Sequence, residues 1–200
     1  MTTNQTEAPI QSYSMQASNR SAREIARLFS ESEGEGDLNP TYQRSSVWTN
    51  LQRVELVKSW LMGVPIPSIV INDRIFGPWP KHFGRTEGEF SYAVIDGKQR
   101  IEAAQAWFGG ELAVPASWFD PAMVENPFET EDGLYVYYTG LSTEEQRYQK
   151  FNFKLPTVEA KVGTIQEEAE IYLLLNSTGT AHTTQDLVNA ARVINSKVKD

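Results

Sequence analysis

Tyr92-Ala-Val-Ile-Asp96-Gly97-Lys98-Gln99-Arg100 joins a β-branched strand to a helix across a single glycine. Ala93, Val94 and Ile95 favour an extended chain. From Lys98 onward, Ile101, Ala104, Gln105 and Phe108 recur at helical spacing up to Gly109-Gly110, a helix-ending pair. Glycine past a strand end lets the backbone turn sharply. The first turn of the next helix presents N–H groups and the positive end of its dipole, which suits phosphate. Asp96, Lys98, Gln99 and Arg100 crowd that point with one acid, two cations and an amide. An ordinary strand-to-helix turn with solvated charges is the alternative.

Outward from this junction the elements are short and mixed. Upstream, Ser68 to Asn72 is a β-branched strand, and Phe90 to Ile95 returns as its hairpin partner after a long loop containing Gly77-Pro-Trp-Pro80. Before it, Thr49 and Gln52 have capping-box spacing for a helix from about Asn50 to Met62. Its apolar stripe is Leu51, Val54, Val57 (with Leu56), Trp60 and Leu61, and Gly63-Val-Pro-Ile-Pro67 stops it. Ser21 with Glu24 and Ser142 with Glu145 have the same spacing, for helices to about Ser30 and Phe151. Strands are expected near 111–115, 134–138 and 155–162, and further helices over 165–175 and 184–194. Helices and strands mix without a βαβ rhythm, so the expected class is α+β. Residues 1–18 read as a flexible leader in which Tyr13 and Met15 could add an edge strand, and residues 19–200 as one domain.

Composition bounds the function. Two hundred residues with 40% apolar content suffice for one sizeable core, and the absence of cysteine excludes disulfides and thiolate chemistry. No run of about 18 apolar residues and no basic, apolar signal at the start occur, so no membrane partner and a cytoplasmic location are expected. The net charge of −8 argues against a broadly basic nucleic-acid surface. The excess acid lies in the second half: residues 1–110 carry 12 acidic and 11 basic side chains, and residues 111–200 carry 14 and 7. Polyanion contact therefore belongs to the first half, around Arg44, Arg53, Lys58, Lys98 and Arg100.

Two further polar clusters accompany the Asp96–Arg100 junction. Gln43-Arg44 with Trp48 could fork onto phosphate and stack on a base, or could be a packing pair. Asn176-Ser-Thr-Gly-Thr180, at the end of an expected helix, could wrap a phosphate or merely cap the last carbonyls. The two histidines, His82 and His182, have no metal-ligand spacing, and neither a Gly-x-x-x-x-Gly-Lys-Ser/Thr nor a Gly-x-Gly-x-x-Gly loop is present. Glu144-Glu145 and Glu167-Glu168 fall on helix faces read as exposed.

The order of these clusters resembles the N-terminal domain of GmrSD-type restriction endonucleases, of the ParB and sulfiredoxin-like superfamily. Gln43-Arg44-Ser-Ser-Val-Trp48, Gly63-Val-Pro-Ile-Pro67, Asp96-Gly-Lys-Gln-Arg100 and Asn176-Ser-Thr-Gly-Thr180 carry the resemblance, over about residues 20–195. It implies a ParB-like α+β fold, a small mixed sheet with flanking helices, that binds and hydrolyses a nucleoside triphosphate with Mg²⁺ in systems acting on modified DNA. By position, Asp96 would be the catalytic and metal-linked acid and Arg100 a catalytic cation. Gly97, Lys98, Gln99 and Asn176 would contact the nucleotide, with Gln43 and Arg44 as the facing wall. Family members often carry arginine two residues before the late asparagine, where this chain has Leu174. The family's His-based nuclease centre lies in a following domain, so the resemblance implies a separate nuclease subunit as partner, with DNA as the target. The competing readings are a metal-dependent nuclease acting through Asp96 and a non-catalytic binding or decoy protein.

Overall fold

A computed structural model describes residues 9–10, 12–32, 34–43, 48–75, 79, 90–177 and 192–193. The chain is a mixed α+β fold built on a five-stranded sheet of order β1-β8-β3-β4-β2. These strands are β1 (Met15–Ser21), β2 (Gly36–Asp37), β3 (Ile69–Asp73), β4 (Tyr92–Asp96) and β8 (Lys154–Ala160). β1 and β8 are antiparallel, β8 and β3 parallel, β3 and β4 antiparallel, and β4 and β2 parallel.

Both faces of this sheet are covered, which is why Ile69-Val-Ile71 is a continuous apolar run rather than an alternating one. Ile69, Ile71, Val94 and Leu155 pack against α1 (Ala22–Leu28), α2 (Asn50–Leu61) and α3 (Lys98–Phe108). Val70 and Ile95, on the opposite face, pack with Ala169, Ile171 and Tyr172 of α5 (Ile165–Ser177). The remaining elements are β5 (Ala113–Pro115), β6 (Phe128–Thr130), β7 (Gly133–Tyr137) and α4 (Thr143–Asn152). The first three form a separate small sheet of order β5-β7-β6. Trp107, fully buried on α3, donates from its indole to Gln149 of α4 at 3.0 Å and ties that region to the core.

Several expectations hold in detail. The hairpin of β3 and β4 forms, α3 spans the predicted residues, and Thr49 with Gln52 makes both bonds of a capping box. Others change. Met15–Ser18, expected within the leader or an edge strand, belong to β1, whose exposed polar residues suit a sheet edge. Tyr13 donates to Glu170 of α5. Ser21 does not cap α1: its hydroxyl donates to the Lys150 carbonyl at 2.8 Å, tying α1 to α4. Gln105 lies on the expected face of α3 and donates to the carbonyls of Ala26 and Phe29 at the end of α1. Leu51 is 69% exposed, while Leu56, Val57 and Trp60 of the expected stripe are buried. Of the expected helix over 184–194 only residues 192–193 are described, and both are helical.

Candidate phosphate-binding cleft

The strand-to-helix junction sits where β4 passes into α3. Gly97 carries φ +95°, the left-handed region, and a Cβ there would lie 2.4 Å from Ile69 Cγ2 and 2.7 Å from the Arg100 guanidinium. Only glycine meets both demands. With the backbone turned this way, Arg100 folds back over Gly97, and its guanidinium approaches Asp96 Oδ2 at 3.3 Å. α3 starts without a side-chain cap.

A cleft of about 150 Å³ opens over this junction, lined by Gln43, Trp48, Asp96, Gly97, Lys98, Gln99, Arg100, Tyr172 and Asn176. Three segments far apart in the chain therefore meet at one point. Gln43 is clipped to the end of β4, its amide donating to Ile95 O at 2.6 Å and to Val94 O at 3.1 Å. The Trp48 backbone N–H donates to Gln99 Oε1 at 2.8 Å. The two residues that flank positions 44–47 are thus both anchored beside the start of α3. Arg44 itself lies outside the described residues, as do His82, His182 and positions 178–180. On α5, Tyr172 and Asn176 are one turn apart on the face that lines the cleft, and the Asn176 amide donates to Tyr172 O at 2.7 Å.

The charged groups divide between two sides of α3. Lys98 is nearly buried, its ammonium 2.6 Å from Asn39 Oδ1 and 3.9 Å from Glu102 Oε1. That end also borders a wider groove between α1 and α3. Arg100 is the guanidinium aimed at Asp96, with 20% of its side chain exposed against 31% for Asp96. Gln43 and Gln99 hold the wall together through the bonds above. Leu174 is 60% exposed and is not among the lining residues. Two positions along a helix from Tyr172 and from Asn176, it faces away from the cleft.

Behind the cleft lies a buried ionic network that sequence reasoning missed. Glu168, read as an exposed carboxylate, is fully buried. It accepts from Arg74 Nε and Nη2 at 2.8 and 2.7 Å, from the Asn72 amide at 2.7 Å and from the Tyr42 hydroxyl at 3.1 Å. The Asn72 carbonyl in turn accepts from Val162 N–H at 3.0 Å. Burial lowers the Arg74 pKa, but the hydrogen bonds and charge of Glu168 more than offset this and hold it above its ordinary value. Burial, then the Glu168 charge, raises the Tyr42 pKa well above its ordinary value. The Tyr42 ring meets that of Tyr172 at 5.8 Å, and its chain neighbour is Gln43, so the network braces two cleft walls. The signal for it was present: Ile165, Glu168, Ala169 and Tyr172 share one helical face.

The donor set limits metal chemistry. Among the described residues no group of three or more His, Asp or Glu side chains is placed to hold a metal ion. Among the described residues, Asp96 is the one carboxylate lining the cleft. Mg²⁺ held by one carboxylate together with substrate phosphates and water is a common arrangement, and this cleft fits it.

An α+β domain with a strand-to-helix turn at Gly97 and an arginine folded back onto Asp96 in a small cleft is thereby defined. The family model described as "GmrSD restriction endonuclease, N-terminal domain" matches residues 25–192, and the chain belongs to that family. Searches of curated proteins and of solved structures return no significant match. Among the described residues no helix is long and apolar enough to cross a membrane.

Proposed function

We propose that the cleft binds the phosphates of a nucleoside triphosphate with Mg²⁺, in a ParB-like module of a restriction or phage-defence system acting on modified DNA. The observation that carries this reading is the convergence of Gln43, Asp96–Arg100 and Asn176 on the start of α3. A volume of about 150 Å³ suits phosphate groups rather than a whole nucleotide, since small-molecule pockets run to about 300–1,000 Å³. The base and ribose would extend towards Trp48. Arg100 would exchange Asp96 for phosphate oxygens, to which its planar fork is matched, and Asp96 would then be available to the Mg²⁺ that accompanies the nucleotide. Mg²⁺ would supply charge neutralisation at the phosphates. Lys98 would add positive potential from behind.

Hydrolysis is part of the proposal. Position 174, where the family often carries arginine, faces away from the cleft, so charge stabilisation in this reading falls to Arg100 and Mg²⁺. The cleavage of DNA would fall to a separate nuclease subunit. A single lining carboxylate among the described residues favours this division over direct metal-dependent cleavage through Asp96.

A thermal-shift screen with the four ribonucleoside triphosphates and Mg²⁺ tests the reading. Ligand at about 100 times its dissociation constant stabilises by about 2.7 kcal/mol. At this chain length that corresponds to a rise of about 5–11 °C in Tm. Asp96→Ala and Arg100→Ala should melt near the wild type unliganded and lose the rise. No shift with any nucleotide, or an undiminished shift in both variants, would remove the assignment.

A further inference from the structure

From Ile101 to Gln146 the chain contains no lysine, arginine or histidine, and nine acids. This stretch builds the small sheet of β5, β7 and β6. Five of the acids, Asp120, Glu125, Glu129, Glu131 and Asp132, are exposed around it. Inside that rim is a groove of about 760 Å³ whose apolar lining includes Pro115, Phe119, Pro121, Val124 and Leu134. Leu134 is 55% exposed. Beside the groove, strand alternation turns Val136 into the core and Tyr135 and Tyr137 outward, and the Phe128 ring stacks on Tyr137 at 4.9 Å. A solvated surface ordinarily interleaves both signs of charge and keeps large apolar side chains scattered.

We propose that this acid-rimmed groove docks a protein segment presenting apolar side chains flanked by lysine and arginine, at a site separate from the nucleotide cleft. Apolar anchors entering the groove would supply affinity, and the basic flanks would supply steering and orientation through charge complementarity. Nucleic acid is disfavoured, because phosphates would meet an acidic rim to which residues 101–146 bring no cation. A second copy of this chain, with net charge −8, meets like charge as well.

The test uses the full chain and a short fluorescein-labelled synthetic peptide alternating lysine with leucine and valine, with a glutamate-for-lysine peptide and a labelled DNA duplex as comparisons. Anisotropy should show binding of the lysine peptide alone, weakening as salt rises from about 0.05 to about 0.5 M. Leu134→Asp, and separately the pair Glu129→Lys with Glu131→Lys, should each weaken it about tenfold or more. All three positions are exposed, and a circular dichroism melt checks that the variants remain folded. Absence of lysine-peptide binding would overturn the proposal. So would affinity unchanged by Leu134→Asp, duplex binding that the charge reversals alter, or a wild-type dimer in light scattering that Leu134→Asp dissociates.

Discussion

Gly97 is where a single missing Cβ shapes the site. Two effects oppose any side chain there: the left-handed backbone, about 1–2 kcal/mol, and overlap with Ile69 and Arg100, about 1–3 kcal/mol. Gly97→Ala should therefore lose about 2–5 kcal/mol in urea unfolding. Gly63 provides the control, since it also has positive φ, +66°, but a Cβ added there would meet nothing within 4 Å. Gly63→Ala should cost only the backbone part, about 1–2 kcal/mol. Equal losses at the two glycines would mean that the packing of Arg100 over Gly97 is not what that position protects.

At the scale of elements, the cleft depends on α5 being held at a fixed rotation against β3 and β4. The Glu168 network does this from inside, joining β3 through Asn72, the segment after it through Arg74, and the loop before Gln43 through Tyr42. Removing one partner of a buried pair leaves an uncompensated charge, so Arg74→Met should destabilise by about 3–5 kcal/mol in denaturant unfolding. A loss below about 1 kcal/mol would show that the Glu168 charge is satisfied without the guanidinium. Local signals announced some elements and hid others. The Thr49–Gln52 box and the glycine-terminated α3 were legible because each depends on neighbours in sequence, and the β3–β4 pair because two β-branched runs flank one turn-rich loop. Ser21 was misread because its partner, on α4, is set by tertiary packing that capping patterns do not encode. Glu168 was misread because carboxylates are seldom buried unless paired, and its partner Arg74 lies 94 residues away.

Over the whole molecule, the α+β class was legible from the mix of short elements along the chain, and the approach of Gln43 and Asn176 to the Asp96–Arg100 junction from the family resemblance. The two-faced burial of the main sheet and the separate β5-β7-β6 sheet were not, since short strands do not announce their partners. The molecule as a whole should also respond to alkali. Tyr13, Tyr42, Tyr92 and Tyr138 all have pKa values raised, in each case by burial first. A raised folded pKa means that the neutral hydroxyl is the form the fold favours. That stability is fully present below the unfolded value near 10 and is lost as pH climbs from there towards the folded values. Tm should therefore be nearly level between about pH 8 and 9.5 with respect to these groups and fall above about pH 10. Tyr42→Phe should flatten part of that fall, because it removes the most deeply buried of the four hydroxyls. The central claim, that Asp96-Gly-Lys-Gln-Arg100 forms a nucleotide-phosphate site, is tested most directly by isothermal titration of Mg²⁺-nucleotide into wild type and Arg100→Ala at matched folded concentration. Saturable heat in the wild type, with affinity about tenfold or more weaker in Arg100→Ala, is the predicted result. Equal affinities, or no saturable heat in the wild type with any of the four nucleotides, would contradict it.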